Sequence, residues 1–261
     1  MSDVLEELTA ARRRDAALRE AEVPFAEMMR RANAAPPPRD MAAKLGLAGS
    51  PRVIAELKRA SPSEGMIRED FRPVELAREL VAAGAAALSV LCEPHRFLGS
   101  EEYLRAVRGV VDVPILYKDF LSTRYQIAAA RAAGADVVLL IAAVLDDPTL
   151  KDLLDFARGL GLAALVETHD ADEIARAVQA GARIVGVNCR NLRNFSTDVS
   201  LLESLVGRIP RPCLRVAESG MHTAEAIRRA QAAGADGFLV GTALMRAERP
   251  GEKLKELLTN H

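Results

Sequence analysis

One short pattern occurs four times along the chain and constrains the fold more than any other feature. Each copy has an alanine-rich helical segment, then a glycine, then a run of apolar residues, as in A-A-G-A-D-V-V-L-L-I. The four glycines are Gly84, Gly134, Gly181 and Gly234. Glycine just past a helix end adopts the left-handed conformation at little steric cost. Because the apolar runs do not alternate with polar residues, they predict strands that are buried on both faces.

Eight apolar runs of strand length follow one another at intervals of about 20 to 35 residues, the size of a βαβ step. They cover residues 53–58, 86–91, 113–118, 137–142, 164–168, 184–190, 214–218 and 237–241. Helical patterns fill the intervals, for example at residues 73–83, 123–133, 171–180 and 223–233. Eight such units predict an α/β protein, a (β/α)8 TIM barrel. The competing fold is a doubly wound open sheet, but no G-x-G-x-x-G or P-loop motif follows any strand.

About 50 residues precede the first predicted strand. Apolar residues recur there at helical spacing until three consecutive prolines, at 36–38, end any helix. Because this segment is too short to bury a core of its own, we expect residues 1–50 to form a helical extension packed on the barrel. Residues 1–261 would then form a single domain. The only basic run, at 12–14, lies among acidic residues and predicts a solvated helix face.

The charge balance and the cysteines limit the partners of the protein. The chain has 35 Lys and Arg against 36 Asp and Glu, which argues against binding to a nucleic acid backbone. No apolar run of 18 residues and no signal peptide is present, so no membrane partner is expected. Cys92, Cys189 and Cys213 form no C-x-x-C pair and predict reduced thiols in a cytoplasmic protein. We expect a monomer.

Polar side chains stand where five of the predicted strands end. They are Glu56, Lys58, Lys118, Asp119, Glu167, Asn188, Arg190, Glu218 and Ser219. Parallel barrel strands bring their C-terminal ends to one face, where barrel enzymes build their active sites. Each residue alone also fits an ordinary strand-to-loop position that reaches water. Because charge is costly to bury without a partner or a function, the whole set predicts an active site.

Three loops predict further contacts with a ligand. Gly220 follows the seventh strand, and Gly241 with Thr242 follows the eighth, where barrels commonly bind phosphate through backbone N–H groups. The alternative is that these glycines only form tight turns. The loop R-A-S-P-S-E-G-M after the first strand has few apolar anchors and predicts a mobile lid. Phe97 and Phe120 could form flat apolar walls, although packing explains each equally well.

A metal site is not expected from the histidines. His95, His169 and His222 all fall near strand ends, but they show no H-x-H or H-x-x-x-H spacing and come from three separate loops. Ordinary loop positions therefore explain them better than metal ligation.

Six motifs in order resemble those of the indole-3-glycerol phosphate synthase family. They are I-A-E-L-K-R-A-S-P-S-E-G, I-L-Y-K-D-F, L-V-E-T-H, G-V-N-C-R-N-L, V-A-E-S-G-M and F-L-V-G-T-A-L-M. The resemblance covers essentially the whole chain. It implies a (β/α)8 lyase of tryptophan biosynthesis that acts on a small phosphorylated substrate without metal or organic cofactor. The implied reaction converts 1-(2-carboxyphenylamino)-1-deoxyribulose 5-phosphate to indole-3-glycerol phosphate, with release of CO2 and water.

The same resemblance implies a role for each matching residue. Lys118 would protonate the ketone of the substrate, Glu167 would be the base of the dehydration, and Lys58 would bind the carboxylate. Residues that would orient these groups and the substrate hydroxyls are Glu56, Asn188, Arg190, Glu218 and Ser219. Residues that would bind the ring or the phosphate are Ser61, Pro62, Phe97, Phe120, Leu192, Gly220, Gly241 and Thr242.

The sequence departs from the family pattern at three places. Glu64 stands where the family usually has a basic residue, Cys189 where it has Asn or Ser, and Thr242 with Ala243 where a more polar pair is usual. We expect the Cys189 side chain to face away from the site. Two rival functions remain, a phosphoribosylanthranilate isomerase and a barrel that binds sugar phosphates without catalysis. The former requires a Cys and Asp acid–base pair at strand ends, which these cysteines do not provide.

Overall fold

A closed barrel of eight parallel strands forms the centre of the molecule. The computed structural model describes residues 4–46, 51–189 and 199–259. The strands are β1 (Val53–Leu57), β2 (Ala87–Leu91), β3 (Ile115–Lys118), β4 (Val137–Ile141), β5 (Ala163–Thr168), β6 (Ile184–Asn188), β7 (Leu214–Glu218) and β8 (Gly237–Val240). Each strand pairs with the next along the chain, and β8 pairs with β1. The predicted (β/α)8 barrel is therefore confirmed.

Twelve α-helices occur in these ranges. They are α1 (Val4–Glu22), α2 (Phe25–Ala34), α3 (Met41–Leu45), α4 (Pro73–Ala82), α5 (Glu101–Arg108), α6 (Arg124–Ala132), α7 (Asp147–Gly159), α8 (Ala171–Gln179), α9 (Val199–Val206), α10 (Ala224–Ala232), α11 (Thr242–Arg246) and α12 (Pro250–Thr259). The four helices predicted by range agree with the observed ones to within one residue at each end. Capping side chains fix where three of them begin. Thr123, Asp170 and Thr223 each accept a backbone N–H from the first turn of the following helix.

The apolar residues form two main layers, as expected for strands buried on both faces. One layer fills the barrel interior and includes Ile54, Leu116, Leu165 and Val216. The other lies between the barrel and the surrounding helices. Cys189 is buried in this outer layer, which confirms that its side chain faces away from the interior.

Aspartates in two copies of the repeated pattern tie neighbouring strands together. Gly134 has a φ of +94°, which explains the glycine at that position. Two residues later, the buried Asp136 accepts the N–H of Ile115 at 2.8 Å. Asp236 does the same for the N–H of Arg215, also at 2.8 Å. The pattern therefore encodes both a helix end and a strand pairing.

The N-terminal extension contacts both ends of the barrel. Leu5 and Leu8 of α1 are buried against the barrel interior at its C-terminal face. Met41 and Leu45 of α3 join the same cluster from the opposite end, where Leu45 lies against Gly237, the first residue of β8. Between them, α2 packs on α6. One N-terminal segment thus covers both openings of the barrel.

An ion pair holds α1 over the C-terminal face, and it corrects one expectation. Arg12 donates from Nε and Nη2 to the two carboxylate oxygens of Asp119, at 2.9 and 2.7 Å. The Arg12 side chain is only 16 % exposed, so the prediction that residues 12–14 lie on a solvated face is wrong for Arg12. Arg13 and Arg14 are exposed, as predicted. Sequence reasoning missed the pair because its partners are 107 positions apart.

No helix within the three described ranges combines the length and the apolar character needed to cross a bilayer.

Candidate active site

A cavity opens at the C-terminal face of the barrel, below α1. It has a volume of about 1110 Å³, including its open entrance. Fourteen of the predicted site residues line it, namely Glu56, Lys58, Ser61, Pro62, Phe97, Lys118, Phe120, Glu167, Asn188, Glu218, Ser219, Gly220, Gly241 and Thr242. The other two, Arg190 and Leu192, lie outside the described residues. Strand ends that are far apart in sequence therefore meet around one cavity.

Lys118 is the centre of the charged cluster in this cavity. Its Nζ lies 3.0 Å from Glu167 Oε2 and 2.8 Å from Glu218 Oε2. Both carboxylates are buried, and the ammonium side chain is 13 % exposed. Burial alone would lower the pKa of Lys118, but Glu167, Glu218 and the nearby Glu56 raise it well above its ordinary value. Lys118 is therefore an ammonium group at neutral pH.

The two carboxylates that share Lys118 differ in acidity. Burial raises the pKa of Glu218 to about 7, with Lys118 opposing the shift and the charge of Glu167 adding to it. Burial acts on Glu167 in the same sense, but Lys118, His169 and Asn188 outweigh it and bring its pKa well below the ordinary value. Glu167 is thus the ionised member of the pair, and Glu218 is able to hold a proton near neutral pH.

A second ion pair lies at the end of β1. Lys58 Nζ is 2.8 Å from Glu56 Oε1, as expected from residues at i and i+2 on one face of a strand. Burial would raise the pKa of Glu56, but Lys58 and Lys118 outweigh it and lower that pKa. The cavity therefore presents two ammonium groups, each balanced by buried carboxylate.

A hydrogen-bonded chain links the sixth and seventh strands to Glu167. Asn188 Nδ2 donates to Glu167 Oε1 at 3.0 Å, and Ser219 Oγ donates to Asn188 Oδ1 at 2.7 Å. Ser219 has a φ of +63°, a conformation that a non-glycine residue seldom adopts, and Gly220 continues the turn at +76°. This turn directs the hydroxyl towards Asn188, so the chain fixes the orientation of the Glu167 carboxylate.

Two phenylalanine rings lie side by side in the lining of the cavity. The rings of Phe97 and Phe120 are tilted by 44°, with centroids 6.1 Å apart. Glu93, which sequence reasoning missed, folds the loop that carries Phe97. Its buried carboxylate accepts the backbone N–H groups of residues 95, 96 and 97 at 2.7 to 2.8 Å. Glu93 follows β2 closely, so the rule that selected charges at the other strand ends also applies to it.

Comparison with known proteins identifies the family. The family model described as indole-3-glycerol phosphate synthase matches residues 5–257. The chain belongs to the indole-3-glycerol phosphate synthase family. A curated member from Albidiferax ferrireducens is 45 % identical over 260 residues, covering 98 % of each chain. Another, from Acidithiobacillus ferrooxidans, is 44 % identical over 260 residues and covers 98 % of this chain and 99 % of that one.

The predicted family membership is therefore confirmed, and with it the class of carbon–carbon lyases in tryptophan biosynthesis. The rival interpretation as an isomerase or a non-catalytic barrel is not favoured. A third relative, from Campylobacter jejuni, is 50 % identical over 207 residues, which are 79 % of this chain and 80 % of that one.

Solved structures of other proteins share the fold alone. A thiamine phosphate pyrophosphorylase from Pyrococcus furiosus aligns with a TM-score of 0.61 at 19 % identity, over 84 % of this chain and 96 % of that one. An N-acetylmannosamine-6-phosphate 2-epimerase from Clostridium perfringens aligns with a TM-score of 0.59, also at 19 % identity, over 77 % and 89 % of the two chains. Both support the barrel assignment.

In this indole-3-glycerol phosphate synthase family member, the loop after β1 forms a short β-hairpin. Ala60–Ser61 pairs antiparallel with Gly65–Met66. Glu64, the departure from the family pattern, forms an ion pair with Arg246 of α11. Arg68 donates to the carbonyl oxygens of residues 245 and 247 at 3.2 and 2.9 Å. These contacts attach the loop to the segment after β8.

The three histidines within the described residues lie apart from one another in the sequence and in different loops. Within residues 4–46, 51–189 and 199–259, no group of three or more His, Cys, Asp or Glu side chains is placed to hold a metal ion. His169 instead lies between two carboxylates, those of Glu167 and Glu173.

Proposed function

We propose that this protein closes the indole ring of indole-3-glycerol phosphate. The substrate would be 1-(2-carboxyphenylamino)-1-deoxyribulose 5-phosphate, which loses CO2 and water. The observation that carries the proposal is the contact of one ammonium group, Lys118, with two buried carboxylates in a cavity that also holds a pair of phenylalanine rings. A proton donor, a base and an apolar wall are what this ring closure requires.

Lys118 acts as the acid of the ring closure. When the aromatic carbon attacks the ketone carbon, negative charge develops on the ketone oxygen, and Lys118 transfers a proton to it. Although its pKa is raised, a developing alkoxide is basic enough to take the proton. The ring carbon that attacked still bears the carboxylate, and loss of CO2 from it then restores the aromatic system.

Glu167 acts as the base of the following dehydration. The hydroxyl formed in the first step takes a proton from Lys58 and leaves as water, and Glu167 accepts the proton that the ring must lose. Asn188 and Ser219 hold the Glu167 carboxylate in place. Glu218 contacts Lys118 and can take up or release a proton near neutral pH, which balances the charge beside that lysine. Lys58, fixed by Glu56, binds the carboxylate of the substrate until it departs as CO2.

The loops after β7 and β8 bind the phosphate. Gly220, Gly241 and Thr242 line the cavity there. Ser61 and Pro62 line the cavity from the other side. Phosphate at one end and the aryl carboxylate at the other hold the flexible substrate chain in a reactive conformation. This positioning lowers the activation barrier of the ring closure by several kcal/mol. For well-oriented intramolecular reactions, the measured gain begins at about 7 kcal/mol.

The direct test is a fluorescence assay with the purified protein and the carboxyphenylamino-deoxyribulose phosphate. We expect the appearance of indole fluorescence together with one equivalent of CO2. The chain has no tryptophan, so the signal of the product is not masked. Absence of the product with a folded protein would contradict the proposal.

We expect the Glu64–Arg246 ion pair to keep the loop after β1 closed over bound substrate. Reversing one charge, in Glu64→Arg, should raise KM about threefold with little change in kcat, because exposed ion pairs contribute up to about 1 kcal/mol. The double variant Glu64→Arg/Arg246→Glu should restore KM. Steady-state kinetics at low salt measures both, and a double variant as weak as the single one would show that the pair has no such effect.

We further propose that the enzyme works as a monomer in the cytoplasm. The described residues of one chain provide acid, base, aromatic wall and phosphate loops around a single cavity. Cys92, Cys189 and Cys213, two of them buried, form no disulfide among the described residues, which suits a reducing compartment. Light scattering coupled to size-exclusion chromatography tests the oligomeric state.

A further inference from the structure

We propose that His169 is a positioning residue for Glu167. Held in place by Glu173, its imidazole gives the Glu167 carboxylate a second cationic partner and keeps it available as a base after Lys118 has given up its proton. The inference rests on the proposed roles of Lys118 and Glu167. Between the two chemical steps, the site must keep one of two similar carboxylates ionised.

The position of the imidazole is fixed from one side by Glu173. The Oε2 atom of Glu173 accepts the backbone N–H of His169 at 2.8 Å and lies 3.1 Å from its Nδ1. The opposite ring nitrogen, Nε2, is buried and faces Glu167 Oε1 at 3.5 Å. This nitrogen has no hydrogen-bond partner among the described residues. The ring therefore bridges two carboxylates, with its free nitrogen towards the site.

Glu173 is itself fixed by the start of α8. Asp170 caps the helix by accepting the backbone N–H of Glu173 at 2.8 Å. The Glu173 side chain reaches back to the residue before the cap, in a variant of the capping box. The orientation of His169 is thus set by the first turn of a helix and does not depend on a bound ligand.

The two carboxylates beside Lys118, those of Glu167 and Glu218, have different contacts because His169 lies beside only one of them. Glu167 Oε1 contacts both Asn188 and His169. The corresponding oxygen of Glu218 is buried and has no hydrogen-bond partner within the described part of the chain. When Lys118 becomes neutral, two adjacent carboxylates lose their shared cation, and one of them must take up a proton. His169 makes Glu218 the one that does so.

The charges around the imidazole support its cationic form. Among the described residues, the titratable groups that contact it are Glu167, from β5, and Glu173, from α8, with Lys118 on the far side of Glu167. Burial opposes the charge of His169, but the two glutamates outweigh it and raise its pKa to about 10. The second cation is therefore present across the neutral pH range.

The test is the pH profile of the single-turnover rate constant for wild type, His169→Asn and His169→Gln. Asn retains a donor close to the position of Nδ1, towards Glu173, and Gln places a neutral donor towards Glu167. Because an opposite charge at this distance shifts a carboxylate pKa by about one to three units, we expect the acid limb to move up by at least about one pH unit in both variants. Above that limb, the rate constant should stay within about twofold of wild type, and KM should be unchanged.

A merely structural role gives a different result. If His169 only supported packing, both variants would lose rate uniformly at all pH values with the acid limb in place, and this outcome would overturn the proposal. His95→Asn is the matched control, since His95 is half-exposed and pairs with Asp15 outside the cavity. It should leave the profile unchanged.

Two further measurements keep the proposal separate from protein folding and from the proposed function. NMR titration of wild type, with the His169 signal assigned by its loss in His169→Asn, should show a charged imidazole at pH 8. A neutral imidazole at pH 7 would overturn the proposal without any variant. Glu167→Gln tests the base itself: if that variant keeps its rate, the proposed role of Glu167 fails, whatever the imidazole does.

Discussion

Lys118→Met is expected to lower kcat by a factor of about 10² to 10⁴ while the protein still binds its substrate. Methionine retains most of the length and apolar volume of lysine but has no proton to donate. The phosphate loops around Gly220 and Gly241 belong to other strands and are untouched by the change. Stopped assays for kcat and calorimetric titration of the inactive variant with substrate measure the two quantities.

Lys118→Arg separates proton donation from simple charge. Arginine keeps a cation between Glu167 and Glu218, but the guanidinium group does not give up a proton at accessible pH. We therefore expect its kcat to fall about as far as that of the methionine variant. A kcat within about tenfold of wild type for Lys118→Arg would show that the positive charge matters and the proton does not, and would contradict the assigned acid role.

Asp136→Ala is expected to lower the free energy of unfolding by about 3–5 kcal/mol, the usual cost of leaving a buried charged partner alone. Asp136 is buried and accepts the N–H of Ile115 at 2.8 Å, the N–H of Arg39 at 2.7 Å and Nη1 of Arg108 at 2.7 Å. Its removal leaves the nearly buried guanidinium of Arg108 without its carboxylate partner and leaves two backbone N–H donors unpaired.

Asp112→Ala is the matched control for this prediction. Asp112 also pairs with an arginine, Arg39, but its side chain is fully exposed. We expect its removal to change the free energy of unfolding by less than about 0.5 kcal/mol. Urea unfolding followed by circular dichroism compares both variants through their midpoints. Equal midpoints for the two variants would show that the buried aspartate does not tie the strands together.

The barrel and the charged cluster were predictable because local sequence patterns specify both. The run after each repeated glycine predicts a strand, and alternation then fixes which side chains point to the interior. Lys58 and Glu56 meet because they are two residues apart on one strand. Strand ends of a closed parallel barrel meet at one face, so Lys118, Glu167 and Glu218 followed from the fold.

What escaped prediction depends on pairs that the local pattern does not specify. Arg12 and Asp119 are 107 positions apart, and Glu64 and Arg246 are 182 apart. Taken alone, each of these residues looks like an ordinary charged surface residue. Its partner is apparent only in the folded structure. His169 is a different case: its partner Glu173 is four positions away and follows a helix cap, so the signal for this pair is local.

The placement of the N-terminal segment on both openings of the barrel has a consequence for biosynthesis. The ribosome produces α1 long before β3, to whose end Arg12 binds, and α3 long before β8, against which Leu45 rests. Until the last strand has emerged and the cylinder has closed, this leading stretch has no complete docking surface. The upper wall of the catalytic chamber, although encoded first, is therefore assembled last.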